Sequence, residues 1–416
     1  MNRRMVLLLL AATLLPAVNR AECVALVGGE LVLPGSRPTA GTLVLEDGRV
    51  TAAEAGAAVP SGCREVSIPG RTVTAGLIDA SSTIGLGEID LEPSTQDTDA
   101  GGTDPVRAAF RAADGYNPRS VLIPVARAGG VTSALVSPSG GLVAGQAAWV
   151  DLFGGTQSEA VRKTPAAIAV SLDGPAGSAL RRLRELLDDA RLFATRRAAW
   201  EKGESRTFPW SRSDLEALRP VVDREIPLLV AADRASDLEA LLGLASEQSV
   251  RIVVRGGAEA HVLAPQLAAA GVPVIVNPLV YGPGTYDQIH ARADNAARLR
   301  AAGVTVAIST FSAHDVRELR QFAGNAVREG LPWEAALDAI TINPAQIFGM
   351  ERRGALVSGA RGDAVVWSGD PLEIATRVEQ LYVRGQAVPL RSRQTELFER
   401  YRTLPGTPRP SLPLPR

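Results

Sequence analysis

The sequence predicts an α/β protein in which a barrel of βα units lies between two strand-rich segments. Its 416 residues are enough for two or three structural units, or for one large barrel with an appendage. Apolar residues make up 46% of the chain and charged residues 21%, which predicts a packed core and excludes a disordered or coiled-coil protein. Apolar runs and amphipathic stretches alternate through the middle of the chain, as is typical of a parallel sheet covered by helices.

The N-terminus predicts a secretory signal peptide over residues 1–21. Asn2-Arg3-Arg4 is a short basic start, an apolar run covers 5–18, and the small Ala21 marks the expected cleavage site. The run is short for a membrane span, which needs about 20 residues. We therefore expect an exported, periplasmic or secreted protein that has no membrane contact after signal cleavage. A retained membrane anchor is the alternative.

The segment 22–70 predicts the first part of a small β unit. Apolar runs flank Asp47-Gly48, a dipeptide typical of a hairpin turn. Cys23 and Cys63 lie near the two ends of this segment, and disulfides persist in the compartments that exported proteins reach. The two cysteines are candidates for one disulfide, with two buried free thiols as the alternative. They are too few to close a tetrahedral metal site.

The segment 71–349 predicts the barrel. A long helix predicted over 178–202 has leucines along one face and is expected to pack by that face. The predicted strands cover 73–79, 131–136, 166–171, 227–231, 251–254, 272–276 and 304–308. Helices predicted between the later strands cover 237–246, 258–270, 287–302 and 315–328.

Beyond the barrel, 350–395 predicts the second part of the β unit, and 396–416 predicts a C-terminal segment that ends in a proline-rich tail. The charges nearly cancel, with 44 Lys and Arg against 45 Asp and Glu and a formal charge of -1. A chain without a strong net charge has no long-range field to attract nucleic acid. We therefore expect no nucleic-acid partner.

Several segments resemble the amidohydrolase superfamily, and more closely its imidazolonepropionase-like branch. Residues 74–80 resemble the family's Pro-Gly-Leu-Ile-Asp-Ala motif, which precedes a His-X-His pair. The other resembling segments are 111–118, 128–132, 140–146, 339–345, 348–349 and 354–372. The resemblance covers most of the mature chain. It implies a (β/α)8 TIM-like barrel inserted into a small composite β-sandwich formed by both chain ends.

The resemblance also implies a metal-dependent hydrolase of carbon–nitrogen bonds other than peptide bonds. Active members hold one or two divalent ions at the barrel mouth, with histidines on strands one, five and six and an Asp on strand eight, and the metal activates water. This sequence departs from that pattern at the corresponding positions, which are Ser81, Thr83, Ala231, Arg255 and Phe311. Hydroxyls bind zinc-type ions weakly, and a permanent cation repels them. We therefore expect no metal and no other cofactor.

The remaining histidines and lysines do not restore such a site. The histidines are His261, His290 and His314, and only His314 follows a predicted strand end closely enough to reach the mouth. Lys163 precedes a predicted strand and Lys202 ends a predicted helix, so neither is placed to carry a carbamylated bridge between metals.

Carboxylates keep one alternative open. Asp79, Glu88, Asp90, Asp233 and Asp315 lie near predicted strand ends, on the side where barrel enzymes keep their chemistry. Their oxygens are ligands that one divalent Mg²⁺, Mn²⁺ or Ca²⁺ ion prefers. The simpler interpretation is that Asp79 binds backbone groups in the barrel and that the other carboxylates are solvated.

Two classes of function follow from these observations. The first is an exported amidohydrolase-family pseudoenzyme without the usual metal ligands, acting as a non-catalytic or weakly catalytic binding or partner subunit. The second is a hydrolase of carbon–nitrogen bonds with a rebuilt or metal-free site. The candidate pocket residues are Asp79, Asp233, Arg255 and His314, and Arg255 is predicted to pair with an anionic small-molecule ligand. Other expected partners are a second copy of the chain or an active amidohydrolase.

Overall fold

The computed structural model describes residues 23–172, 174–202 and 207–402. The predicted signal peptide and the proline-rich tail lie outside these ranges. Two eight-stranded sheets organise the described chain. Within it, every helix is too short or too polar to cross a membrane.

The strands and helices follow the predicted outline. In chain order the strands are β1 (Cys23–Leu31), β2 (Thr39–Glu46), β3 (Arg49–Glu54), β4 (Arg64–Ser67), β5 (Thr72–Ala75), β6 (Leu77–Ser82), β7 (Val131–Val136), β8 (Val143–Asp151), β9 (Val161–Ser171), β10 (Leu228–Ala232), β11 (Ile252–Gly256), β12 (Val274–Val276), β13 (Val306–Ile308), β14 (Ala364–Trp367), β15 (Val378–Val383) and β16 (Gln386–Val388). The helices are α1 (Ala112–Gly115), α2 (Leu122–Ala128), α3 (Gln157–Ala160), α4 (Ala176–Glu201), α5 (Arg212–Ala217), α6 (Arg219–Val222), α7 (Ala235–Glu247), α8 (Ala264–Ala269), α9 (Asn295–Ala301), α10 (Leu319–Arg328), α11 (Trp333–Asp338), α12 (Ile342–Ile347) and α13 (Arg393–Tyr401).

The first sheet combines strands from both ends of the described chain. Its order is β16-β15-β14-β5-β1-β2-β3, and β4 also pairs with β1. The predicted hairpin turn joins β2 to β3, and both Asp47 and Gly48 have positive φ, at 50° and 76°. A disulfide between Cys23 and Cys63 ties the start of β1 to the residue before β4. The two chain ends thus share one sheet, and a two-layered sandwich stays a prediction.

The second sheet forms a nearly closed barrel with the order β6 to β13. Its two edge strands meet where the Ser81 backbone N–H donates to Ser309 Oγ at 3.1 Å. The first predicted strand, 73–79, is divided in the structure, because β5 belongs to the first sheet and β6 begins the barrel. Gly76 separates them, and a Cβ atom there would collide with the side chain of Thr132.

One barrel strand departs from the predicted parallel (β/α)8 pattern. β8 is antiparallel to both β7 and β9, whereas the other neighbouring strands of the barrel are parallel. The connections on either side of β8, residues 137–142 and 152–160, are shorter than the dozen or so residues that a parallel crossover needs. The glycine-rich segment 140–146 therefore leads into a hairpin strand.

Candidate functional site

A cavity of about 580 Å³ lies at the carboxyl ends of the barrel strands. This is the face at which barrel enzymes place their active sites. All five substituted family positions line it: Ser81, Thr83, Ala231, Arg255 and Phe311. The five positions that the family resemblance set against the metal ligands therefore converge on one cavity.

Arg255 contacts two of the other four positions, Ser81 and Phe311. Arg255 Nε donates to Ser81 Oγ at 3.0 Å, and the guanidinium carbon lies 4.2 Å from the centroid of the Phe311 ring. Phe311 has a φ of 57°, a left-handed conformation that costs a non-glycine residue about 1–2 kcal/mol. Its backbone N–H donates to Ser309 Oγ at 3.2 Å. The guanidinium is thus oriented by a hydroxyl at one edge and by an aromatic ring against its face.

Asp79 lies beneath this cavity and is not part of its lining. The carboxylate is fully buried and accepts hydrogen bonds from Thr310 Oγ1 at 2.7 Å, from the Ser81 backbone N–H at 3.2 Å and from Ser309 Oγ. Burial raises the pKa of Asp79 to about 6, although the hydrogen bonds from Ser309 and Thr310 oppose the rise. Asp79 therefore fastens β6 to the residues that follow β13.

Asp233 lines the cavity wall and holds two loops in place. One carboxylate oxygen accepts from the backbone N–H of Ala258 at 3.0 Å, and the other accepts from Gln288 Nε2 at 2.8 Å. Beside this contact Arg234 forms an ion pair with Asp287. The loop between β12 and α9, residues 277–294, is thereby fastened across the cavity wall.

None of the three histidines belongs to the lining of the cavity. His314 is not in the cavity lining; its Nε2 lies 3.4 Å from Asp90 Oδ1, and its side chain is 40% exposed. His261 lies in a 3₁₀ turn after β11, and burial lowers the pKa of its imidazole. The His290 backbone N–H donates to Glu259 at 3.0 Å, outside the lining.

The family resemblance implies a divalent metal at this mouth, and the residues present do not fit one. The aligned positions offer hydroxyls, a methyl group, a phenyl ring and a guanidinium, which is a permanent cation. Within 23–172, 174–202 and 207–402, no three His, Cys, Asp or Glu side chains are grouped to hold a metal ion. The candidate carboxylates, including Glu88 and Asp315, are therefore not gathered into such a group.

The lysines lie away from the cavity. Lys163 is near the start of β9, whereas the cavity is lined by the end of that strand, and its Nζ donates to the Phe348 carbonyl oxygen at 2.8 Å. Lys202 is exposed after the last residue of α4.

Several lining residues were missed by the sequence reasoning. They supply hydroxyl, carboxylate and guanidinium groups: Ser137, Ser139, Ser171, Asp237, Asp287 and Arg292. Ser137 directly follows β7, and Ser171 ends β9. Because residues at the carboxyl ends of barrel strands face the mouth, these two follow from the predicted strand ends alone.

Sequence comparisons agree with the resemblance at the level of the amidohydrolase superfamily. Residues 325–389 match the model of a family described as Amidohydrolase family. Amidohydrolase tasK of Hapsidospora irregularis is 33% identical over 129 residues, which are 29% of this chain and 13% of that relative. The match thus spans only a small part of the relative's own length.

Structure comparisons extend the agreement to most of the chain. An amidohydrolase from Thermotoga maritima superposes with a TM-score of 0.80 at 27% identity, covering 88% of this chain and 100% of the other. N-isopropylammelide isopropylaminohydrolase from Burkholderia multivorans has a TM-score of 0.51 at 17% identity, with 88% and 98% covered. Phenylurea hydrolase B has a TM-score of 0.55 at 15% identity, with 89% and 97% covered. The last two share the fold alone.

Proposed function

Given the amidohydrolase family membership that these matches support, we propose that this chain is an exported protein that binds a small anionic molecule at the barrel mouth without the family's metal chemistry. It acts as a non-catalytic or weakly catalytic binding subunit, alone or beside an active amidohydrolase. Its finer placement in the imidazolonepropionase-like branch rests on the motif segments 339–345 and 354–372.

The contact between Arg255, Ser81 and Phe311 carries this proposal. A guanidinium that is fixed at one edge and stacked on a ring loses little conformational freedom when it binds a ligand. Its planar fork of N–H donors matches a carboxylate or a phosphate group. The serine hydroxyls at Ser137 and Ser139 line the same cavity and add neutral donors.

Ligand-dependent melting tests the binding role. The probes are small carboxylates and phosphate monoesters, each at matched pH and ionic strength. We expect at least one probe to raise the melting temperature of the natural protein, and Arg255→Ala to abolish that rise. Arg181→Ala is the matched control, because Arg181 is exposed on α4 and pairs with Glu185. An unchanged shift in Arg255→Ala would count against the proposed anion site.

Elemental analysis tests the loss of the metal site. After expression in medium supplemented with zinc, manganese and iron, we expect less than one tightly held ion per chain. This expectation follows from the donor set at the mouth, in which Arg255 occupies a family ligand position. One or more ions per chain that survive dialysis would contradict it.

Export is supported by the basic and apolar N-terminus and by the bonded pair Cys23 and Cys63. The pairing with an active amidohydrolase is tested by co-expression with any amidohydrolase encoded beside this gene. Co-purification in a fixed ratio is the expected result for a partner subunit, and separate elution is the expected result for an independent binding protein.

A hydrolase with a rebuilt site is the second candidate, and Asp79 is the observation that favours it. A carboxyl group whose pKa is raised to about 6 is suited to proton transfer near neutral pH. It is linked to the cavity through Ser81, whose backbone N–H it accepts. Turnover of amide, urea or ring amidine substrates that is lost in Asp79→Asn and kept in the control Asp223→Asn would favour this candidate.

A further inference from the structure

A second cavity lies at the end of the barrel opposite the mouth, and we call it the lower cavity. Its volume is about 700 Å³. Its lining comes from residues that precede or begin β11, β12 and β13, together with parts of α7 and α12. Among the described residues the two cavities share no lining residue. The lower cavity is therefore a separate space from the mouth.

Two arginines give the lower cavity its charge. Arg224 and Arg251 line it, and both are exposed. Within 23–172, 174–202 and 207–402, neither side chain forms an ion pair or a hydrogen bond, and no Asp or Glu lines the cavity. The lining thus carries two positive charges without a carboxylate to compensate them.

Lys163 adds a third positive charge beside the lower cavity. Its Nζ donates to the carbonyl oxygen of Phe348 at 2.8 Å, and Phe348 directly follows Ile347, which lines the cavity. Burial, and to a smaller extent the charge of Arg251, lowers the pKa of Lys163. A bound anion would reduce this repulsion between the two cations.

The helix ends at the lower cavity do not cancel these charges. Ser246, in the last turn of α7, and Ala270, which follows α8, line the cavity. The carboxyl end of a helix carries about half a negative charge, so two ends offset about one of the positive charges. The carbonyl oxygens of Leu244 and Ser246 also accept the backbone N–H that caps α7. The charge at the lower cavity therefore stays positive.

Two backbone positions at the lower cavity are strained. Each helix from α6 to α10 is followed, two residues after its end, by a residue with positive φ: Arg224 (63°), Ser249 (48°), Gly271 (63°), Gly303 (91°) and Gly330 (99°). Glycine adopts this conformation freely, whereas other residues do so at a cost. Arg224 and Ser249, which bear that cost, both line the lower cavity. Strain that persists beside a cavity indicates a function for these side chains.

The rest of the lining suits a hydrocarbon group. Val253, Val272 and Ile347 are buried and form an apolar floor, and the hydroxyl-bearing Ser249 and Thr305 also line the cavity. Pockets for small organic ligands have volumes of about 300–1,000 Å³. An inorganic ion alone would leave most of the lower cavity unfilled.

We propose that the lower cavity binds a phosphate monoester of an apolar alcohol, with the phosphate held by Arg224 and Arg251 and the hydrocarbon group on the apolar floor. A phosphate monoester carries about −1.5 to −2 charges near neutral pH, which matches two guanidinium groups better than a single carboxylate does. Arginine also pairs with phosphate through its planar fork of N–H donors. The site does not depend on the ligand proposed at the mouth.

Thermal unfolding with phenyl phosphate tests the site, with phenol as the neutral probe at matched ionic strength. We expect phenyl phosphate between about 0.1 and 10 mM to raise the melting temperature by about 2–4 °C in a saturable manner, because a ligand of the native state stabilises it by mass action. Phenol is expected to have no such effect. Equal melting temperatures with the two probes would overturn the proposal.

Two arginine-to-glycine variants separate binding from backbone strain. Arg224→Gly is expected to melt at or above the temperature of the natural protein without ligand, since glycine relieves the strain, and to lose at least half of the phenyl phosphate shift. Arg352→Gly is the matched control, because Arg352 is exposed, has a φ of 60° and lines neither cavity. It is expected to keep the whole shift. A whole shift in Arg224→Gly would contradict the assignment.

The variant Arg255→Ala separates the lower cavity from the mouth. We expect it to retain a phenyl phosphate shift, and we expect the double variant Arg224→Gly/Arg255→Ala to lose what remains. A shift that is abolished by Arg255→Ala alone would assign phenyl phosphate to the mouth and reject the lower cavity.

A direct measurement does not depend on how the variants fold. Crystals of the natural protein soaked in 4-bromophenyl phosphate are expected to show an anomalous bromine peak within about 4 Å of Val253 or Val272. The phosphate is expected within about 3.2 Å of a guanidinium nitrogen of Arg224 or Arg251. A peak at the mouth alone, or no peak in either cavity, would reject the site.

Discussion

Arg255 places a permanent positive charge at the barrel mouth. The family resemblance predicts that it stands at the position of a metal-binding histidine, and it contacts two other residues of the mouth, Ser81 and Phe311. The motif segments predicted which five positions would meet at the mouth, because strand ends in a barrel converge. They did not predict these mutual contacts, since contacts depend on side-chain rotamers and on the left-handed backbone at residue 311.

The buried carboxyl of Asp79 predicts a pH dependence of stability. Its pKa is raised from 3.8 in the unfolded chain to about 6 in the folded protein, so folding favours the protonated form. The stabilising contribution of Asp79 is fully present below about pH 4 and is lost as the pH rises through about 6. Its size is about 3 kcal/mol of unfolding free energy. Urea unfolding of the natural protein and of Asp79→Asn, from pH 4 to pH 7, measures it.

The quantity to compare is the difference in the free energy of unfolding between the natural protein and Asp79→Asn. Asp363 also has its pKa raised to about 6, mainly by burial, and its contribution cancels when Asp79→Asn is subtracted from the natural protein. We expect the natural protein to lose stability relative to the variant as the pH rises. Parallel pH profiles for the two proteins would contradict the raised pKa of Asp79.

Removing the negative charge of Asp151 is expected to cause a large loss of stability. Asp151→Asn would leave several buried guanidinium groups without their counter-charge, and breaking a buried pair in this way costs about 3–5 kcal/mol. Chemical denaturation measures the change. The control Asp223→Asn removes an exposed pair with Arg219, and we expect it to cost less than about 1 kcal/mol.

At the scale of elements, periodicity predicted the helices and strands that have one apolar face or a buried core. The helix predicted over 178–202 is α4, and its Leu183 and Leu187 are fully buried. The strand β8 was missed, because the glycines of 140–146 hide its period and its direction is decided by pairing with β7 and β9. The division of 73–79 between two sheets was also missed, since it depends on packing around Gly76.

Breaking one hydrogen bond of the loop 277–294 is expected to have a local effect on that loop. Gln288→Ala removes the contact of Nε2 with Asp233 and is expected to increase deuterium exchange in the loop, with little change in global stability. Exchange measured by mass spectrometry on peptides that cover the loop is the readout. Gln266→Ala, an exposed residue of α8, is the control. Unchanged exchange in the loop would show that Arg234 and Asp287 suffice to hold it.

At the scale of the whole molecule, the outline of a strand-rich segment, a barrel and a second strand-rich segment could be predicted from composition and from the alternation of apolar and amphipathic stretches along the chain. The joining of both ends in one sheet was implied by the family resemblance and is seen in the pairing of β14 with β5, where Val366 lies opposite Val73. Periodicity alone does not give this result, because it carries no information on which distant strands pair.

The disulfide between Cys23 and Cys63 predicts a change in global stability. The two cysteines are separated by 40 residues, and closing a loop of that length restricts the unfolded chain. We expect the double variant Cys23→Ser/Cys63→Ser to lose about 2–4 kcal/mol in chemical denaturation. A reducing agent is expected to lower the stability of the natural protein and to leave the double variant unchanged. Equal stability of both proteins would contradict this role.

The antiparallel pairing of β14 with β5 has a consequence for biosynthesis. Until residues 364–367 have left the ribosome, one edge of β5 has no neighbour, and an open edge invites pairing with another chain. Only Gly76 separates β5 from the first barrel strand at Leu77, so that strand is anchored to a sheet that is completed last. Synthesis of nearly the whole polypeptide must therefore precede its final assembly.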